Sequence, residues 1–261
     1  KYNLKNWISY FSDPWSDNPF FNTSYLGLEK YLNIINEKKV FKNSKKIICT
    51  SFETKELIGS KYSSEIKEKI EIIPHCFDKN LYSEHHNEVS YEKNNFNQIK
   101  IRYIGKFYGK RFPKVLIDAL KIIENQNFNL FKKINIEVYG SQNFLVSLKL
   151  FFYKSYITLR GPISYTRSLK IMRKADYLLV LDAPFKESVF FPSKLVDYMG
   201  SNRTVIGITP KGTARKIIEE MGGIVMSHND PKKLSLELID LISSVNKPKI
   251  NDKFIDQFSG E

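Results

Sequence analysis

Phe190-Phe191-Pro192-Ser193-Lys194-Leu195-Val196-Asp197-Tyr198-Met199-Gly200 lies between two apolar runs, Tyr177 to Leu181 and Thr204 to Ile208. Each run has the length and composition of a strand buried on both faces, as in a parallel sheet. Between them Pro192 fixes the backbone, and Ser193 belongs to the side chains that cap helix N-termini. A short helix starting at Ser193 would aim its free N–H groups beyond the strand ends, where open parallel sheets bind ligands and a helix start favours phosphate. Lys194 would add a cation there, and Asp197 lies one helical turn further on. The same residues also suit an ordinary strand–loop–helix connection, so the order of the surrounding segments decides between the two.

Outward from this stretch the alternation continues. Towards the N-terminus, strands are expected at Ile99 to Phe107, Ile134 to Tyr139 and Ile157 to Leu159, the last two ending at Gly140 and Gly161. Helices are expected at Pro113 to Glu124, Phe144 to Phe152 and Tyr165 to Lys174. Val115, Leu116, Ala119, Leu120 and Ile123 recur at helical spacing in the first of these. Towards the C-terminus come a helix over Thr213 to Met221, a strand over Ile224 to Met226 and a helix over Leu234 to Ser243. Together these make a nearly complete doubly wound α/β domain over residues 99–245.

A second α/β series precedes it over residues 1–78. Trp7 to Phe11, Ile47 to Thr50 and Ile70 to Ile73 read as strands, and Tyr25 to Phe41 and Glu53 to Tyr62 as helices, the second capped by Ser51. Leu28, Tyr31, Leu32 and Ile35 give the first helix its periodicity. Residues 76–98 are polar and poor in aliphatics, and 79–98 read as an interdomain linker with little regular structure. His85 and His86 fall there, with no Cys or third His nearby to complete a metal set. Residues 246–261 read as a truncated C-terminal tail, and the missing initiator methionine points to a fragment.

The chain has 261 residues and is 42% hydrophobic, enough for one large or two modest domains. Its 41 Lys and Arg against 28 Asp and Glu give a net charge of +13, which favours anionic partners. Abundant Asn and Ile alongside Lys fit a compositional drift that needs no partner. No nucleic-acid motif accompanies the charge, so nucleic acid is not expected as a partner. Cys49 and Cys76 are too few for a disulfide framework and lie outside any metal-ligand spacing. No secretory signal or membrane-spanning run is visible.

Several segments in this order resemble the GT-B glycosyltransferases, above all the retaining family four ("group 1") enzymes. Lys46-Ile47-Ile48-Cys49-Thr50-Ser51 and Ile72-Ile73-Pro74-His75-Cys76-Phe77-Asp78 resemble the end of that family's acceptor-side domain. Arg102-Tyr103-Ile104-Gly105-Lys106-Phe107-Tyr108-Gly109-Lys110-Arg111 resembles the first strand and basic loop of its donor-side domain. Ala175-Asp176-Tyr177-Leu178-Leu179 before the Pro-Ser-Lys segment, Thr204-Val205-Ile206-Gly207, and Gly222-Gly223 complete the likeness. The resemblance implies two Rossmann-like domains, the N-terminal one incomplete.

The resemblance also implies roles. Lys106 and Arg111 would take the family's two basic positions on the donor diphosphate; a solvated basic loop is the alternative. Gly105, Gly140 and Gly161, at strand ends, are assigned to the donor side, and Ser193 and Lys194 would bind the same phosphates. Asp197 matches the second acidic position of the paired-glutamate motif, which binds ribose hydroxyls. The first acidic position falls on Val189, so Glu187 is the substitute through a shifted loop. Asp13 resembles the acidic residue facing the interdomain cleft, although an Asx turn before Pro14 explains it equally well. His75, at a strand exit, reads as structural.

The function so implied is transfer of a sugar, with retention, from a nucleotide-diphosphate donor to a glycan or lipid-linked acceptor in bacterial surface polysaccharide synthesis. No cofactor and no metal are expected, since the nucleotide sugar is a substrate. The location would be cytoplasmic, peripheral at the inner membrane face, with the anionic membrane surface as a further partner. A GT-B sugar-nucleotide epimerase and a nucleotide-sugar-binding module without turnover are the alternatives, the latter prompted by Val189.

Overall fold

The computed structural model describes residues 6–18, 27–83, 98–244 and 248–260. His85, His86 and most of the expected linker lie outside the described residues. The chain divides into two units. The first comprises Lys1–His75, Glu187–Pro192 and Gly212–Ala214, and the second Cys76–Lys186, Ser193–Lys211 and Arg215–Glu261.

The first unit holds β1 (Ile8–Phe11), α1 (Leu28–Asn43), β2 (Lys46–Cys49), α2 (Phe52–Lys61), α3 (Ser64–Glu68) and β3 (Ile70–Ile72). The strands form a parallel sheet in the order β1-β2-β3. Phe41, Ile47, Cys49, Ile58, Ile66 and Ile70 make its core. Ser51 caps α2 by accepting the Thr54 amide at 3.1 Å. Leu28, Tyr31, Leu32 and Ile35 give α1 its period, yet all four are exposed. The helix buries Phe41 and Glu37 instead, because Glu37 Oε1 accepts Lys61 Nζ at 2.8 Å and the Tyr62 hydroxyl at 2.7 Å. A buried carboxylate held by a cation and a hydroxyl fixes the helix face more tightly than the apolar stripe does.

The second unit opens with β4 (Phe77–Asp78) and α4 (Lys79–Ser83), where irregular backbone was expected. Asp78 accepts the Asn80 amide at 2.8 Å, and buried Tyr82 packs edge-on against Phe77 at 5.6 Å. A local side-chain acceptor and one aromatic pair suffice to order this polar segment.

There follow β5 (Ile99–Ile104), α5 (Lys114–Gln126), α6 (Phe128–Phe131), β6 (Ile134–Tyr139), α7 (Phe144–Phe151), β7 (Thr158–Gly161), α8 (Tyr165–Arg173) and β8 (Tyr177–Leu181). Then come β9 (Glu187–Ser188), α9 (Lys194–Gly200), β10 (Val205–Ile208), β11 (Lys211–Gly212), α10 (Thr213–Glu220), β12 (Ile224–Met226), α11 (Pro231–Ser243), α12 (Asp252–Ile255) and β13 (Ser259–Gly260). The last strand pairs parallel with β4.

The main sheet is parallel, with strand order β12-β10-β8-β5-β6-β7. The chain starts at β5 in the middle, moves out to β7, then crosses back to β8 and continues the other way. That is the doubly wound topology, and it places the switch point between β5 and β8. Apolar residues of β5, β6, β8 and β10 meet Leu116, Ile117, Leu120 and Ile123 of α5 and Leu234 and Leu238 of α11 in the core.

Candidate functional site

At the switch point the chain leaves β5 through Gly105 and leaves β8 through Asp182. Gly105 has φ +143°, and a Cβ there would stand 2.6 Å from Lys194 Nζ. Only a glycine lets the ammonium lie against this turn. Gly140 ends β6 with φ +142°, and a Cβ on it would meet the Gly105 carbonyl oxygen at 2.4 Å. The two strand ends therefore approach as bare backbone. Gly140 donates its amide to Gly161 O at 2.8 Å, so Gly161 extends the same row.

Two side chains hold the loop beyond β5. Gln142 Nε2 donates to Gly105 O at 3.0 Å and to Gly140 O at 3.2 Å, while its Oε1 accepts the Phe107 amide at 2.7 Å. Tyr198, fully buried on α9, accepts the Ile104 amide on its hydroxyl at 2.9 Å. Helix α9 is thereby pinned to the end of β5. Tyr103 donates to Lys106 O at 3.1 Å and stacks on Phe107 at 4.5 Å.

The charged groups gather around these turns. Lys194 Nζ sits 3.7 Å from the centroid of the Tyr103 ring. Burial of the ammonium, and secondarily the nearby Arg111 charge, press its pKa down to about 7, with Asp182 opposing. Arg111, on a 3-10 turn over Gly109–Arg111, donates Nε to Asp182 Oδ1 at 3.0 Å and lies 5.0 Å from the Tyr108 ring centroid. Asp182 is buried and also accepts the Ala183 amide at 2.8 Å. Beside this pair a cavity of about 310 Å³ is lined by Lys110, Phe112, Leu181, Asp182, Ile208 and His228. Arg111, Lys194, Asp182 and Gly105 thus surround the strand ends, a mixture of cations and backbone turns suited to a phosphorylated ligand.

Asp197 lies on α9 and accepts the Tyr82 hydroxyl at 3.0 Å and the Tyr165 hydroxyl at 2.9 Å, both on Oδ1. Burial and the Asp197 carboxylate both raise the Tyr82 and Tyr165 pKa values, so both hydroxyls keep their protons.

Ser193 does not cap α9. Its backbone is already helical, at φ −55° and ψ −33°, and its side chain makes no capping bond. With the preceding Pro192 fixing the entry, the turn begins one residue early, and the exposed Ser193 hydroxyl points away from the orphan amides.

Lys106 is exposed beyond the Gly105 turn. Asp13 and Glu187 belong to the first unit, and both are exposed. Asp13 exerts an upward pull on the pKa of His75, outweighed by burial, which lowers it. Val189, also in the first unit, offers its carbonyl to the hydroxyls of Ser51, Thr54 and Thr213 at 3.2, 3.3 and 3.1 Å.

Sequence reading did not single out Asp182, Gln142, Tyr82 or Tyr165. Asp182 had a signal, an acid directly after a five-residue apolar strand. The others act through long-range bonds that no local spacing encodes.

The fold is that of the GT-B glycosyltransferases. Among solved structures, Anabaena Alr3699/HepE in complex with UDP and glucose has a TM-score of 0.70 at 15% identity over 97% of this chain and 68% of its own. WaaG, a glycosyltransferase involved in lipopolysaccharide biosynthesis, has a TM-score of 0.68 at 16% identity, covering 95% of this chain and 68% of its own. Sucrose-phosphate synthase from Thermosynechococcus elongatus has a TM-score of 0.70 at 14% identity, covering 97% and 63%. The chain thus spans about two thirds of the length of these neighbours. No protein-family description matches the chain, and no characterised protein matches it by sequence.

Proposed function

We propose that the protein is a retaining glycosyltransferase that takes its sugar from a nucleotide diphosphate donor held at the β5/β8 switch point. The observation that carries this reading is the convergence of Arg111, Lys194 and the bare Gly105 turn there. Sugar transfer leaves growing negative charge on the departing diphosphate. Fixed cations and turn amides already in place stabilise that charge as it develops. Lys106 is proposed to close on the same phosphates from its exposed position, and Ser193 to offer its hydroxyl at the start of α9. Asp197 is proposed to take the ribose hydroxyls on its second oxygen. Glu187 and Asp13 are proposed for the reacting sugar and the acceptor. Uridine is the first base to test, since the HepE structure holds UDP.

The acceptor is proposed to be a glycan or lipid-linked saccharide of a bacterial surface polymer, met at the anionic face of a membrane from the cytoplasmic side. Helix α7 supports this placement. Phe144 and the following-turn residue Phe152 are 78% and 74% exposed, with Leu145, Leu148 and Phe151 also exposed and Lys149 and Lys154 beside them. Aromatics interleaved with lysines suit an anionic interface. No described helix is long and apolar enough to cross a membrane.

The deciding experiment is calorimetric titration with UDP, UDP-glucose and other nucleotide sugars, followed by a transfer assay with the donors that bind. The expected outcome is binding that weakens about tenfold or more in Arg111→Ala and in Lys194→Ala, as for loss of one charge-assisted bond. Unchanged affinity in both variants would overturn the assignment. Binding without transfer to any acceptor would favour the module without turnover, the reading prompted by Val189.

A further inference from the structure

A parallel sheet in a doubly wound domain is normally apolar on both faces. Here the strands β5 and β6 alternate. Ile101, Tyr103, Ile136 and Val138 point into the core, whereas Lys100, Arg102 and Glu137 line a cavity of about 690 Å³. Arg160 of β7 lines it too. Helix α8 and the residue after it add Arg167, Lys170 and Lys174, spaced at i, i+3 and i+7 so that they share one helix face. The cavity therefore has six cationic side chains and one carboxylate in its lining. The chain as a whole has 41 basic and 28 acidic residues, so its general excess of charge does not explain this ratio.

The one carboxylate is already satisfied. Glu137 Oε2 accepts Arg102 Nε at 2.8 Å, and its Oε1 accepts Arg160 Nε at 2.9 Å and Nη2 at 2.6 Å. Arg102 is itself buried and donates Nη1 to Ile171 O at 2.7 Å, which fixes the guanidinium in the cavity wall. Burial raises the Glu137 pKa, but the bonds from the two arginines more than offset this and leave it lowered. Glu137 thus acts as a built-in anchor that orients two arginines. The remaining cations face a cavity of small-ligand size without a matching acid in its lining.

We infer that this cavity is a second ligand site of the donor-side unit, separate from the nucleotide site, and that it takes a small multivalent oxyanion of the phosphate type. Oriented guanidiniums favour oxyanions with two or more acceptor atoms, and the three helix cations supply charge around them. The phosphates could belong to a soluble molecule or to a lipid headgroup, and the chemistry recognised is the same.

The test uses inorganic tripolyphosphate as the probe in calorimetric titrations at low salt, with UDP present throughout to occupy the nucleotide site. Arg167→Glu combined with Lys170→Glu should weaken tripolyphosphate binding at least tenfold. Arg167→Ala alone, a truncation of an exposed side chain, should weaken it about threefold. Lys194→Ala should leave it unchanged. Wild-type affinity in the double variant, or loss of binding in Lys194→Ala alone, would overturn the inference. A second arm sediments both proteins with phosphatidylglycerol vesicles. Pelleting of wild type that the double variant loses assigns the phosphate to a lipid headgroup. Equal behaviour of the two, with the calorimetric loss intact, assigns it to a soluble anion.

Discussion

The ammonium of Lys194 rests 3.7 Å from the centre of the Tyr103 ring, and among the described residues it has neither a hydrogen bond nor an ion pair. A ring face attracts a cation but replaces only part of its hydration, which is why the pKa falls to about 7 from the ordinary 10.5. The site thus carries a lysine whose charge is undecided near neutrality.

The first prediction concerns this proton. A diphosphate placed beside Lys194 should restore its charge, so binding at pH 8 should take up a proton. Titrations in two buffers of different ionisation enthalpy would reveal the uptake, and Lys194→Met should abolish it. Affinity in the wild type should also fall between pH 7 and pH 9, as the free protein must acquire the proton at increasing cost.

The same group shapes stability. Between pH about 7 and 10.5 the unfolded chain holds this proton and the folded one does not. The contribution of Lys194 to stability therefore rises with pH across that window and is flat below it. Denaturant unfolding at pH 7, 8 and 9 should show the rising slope in wild type and a shallower one in Lys194→Met. Identical slopes would show that the ammonium stays charged in the fold.

Asp197 separates binding from turnover. If it accepts ribose hydroxyls, Asp197→Asn should raise the donor KM about tenfold while kcat changes little, because the ribose does not react. Asp197→Glu should be tolerated. Tyr165→Phe removes one of the two hydroxyls on Oδ1 and should leave the donor KM within about twofold, since Oδ2 remains available. Steady-state kinetics on the three variants decide the matter.

The glycines at the strand ends should differ sharply when given a Cβ. At Gly161, φ is +76° and nothing lies within 4 Å, so Gly161→Ala should cost only the backbone strain, about 1–2 kcal/mol. At Gly140 the new methyl meets a carbonyl oxygen at 2.4 Å, and Gly140→Ala should cost about 3–4 kcal/mol. Chemical denaturation compares them directly, and equal losses would mean that the Gly105 turn yields easily.

Exposure of α7 leads to a vesicle experiment. Phe144→Ser with Phe152→Ser should reduce pelleting with phosphatidylglycerol vesicles at least threefold and leave nucleotide affinity unaltered. Pelleting that depends on lipid charge but not on these rings would leave the attachment to basic residues alone.

Much of the architecture was legible in the sequence because the buried strands of a doubly wound sheet are short apolar runs. Tyr177–Leu181 and Val205–Ile208 bracket α9 as expected. The gathering of Gly105, Arg111 and Lys194 followed from strand order alone. What stayed hidden depends on distance along the chain. Gln142 reaches back to Gly105 and Phe107, and Tyr82 and Tyr165 converge on Asp197 from helices far apart in sequence. Ser193 misled because its residue type suits a cap, whereas capping requires a non-helical backbone that Pro192 and the α9 entry do not provide. The α1 stripe misled similarly, since periodicity reports a face without saying what covers it.

The amides of Ile104 and Phe107 end on side chains, the Tyr198 hydroxyl and Gln142 Oε1, rather than on a neighbouring strand. The shape of the turn between them is therefore held from below, by residues outside the turn itself. Lys106, Tyr108, Gly109 and Lys110 are exposed on that held frame. Exchanging the outward side chains of Lys106 and Lys110 should retune which ligand is preferred without redrawing the backbone that presents them, so specificity and scaffold can be altered one at a time.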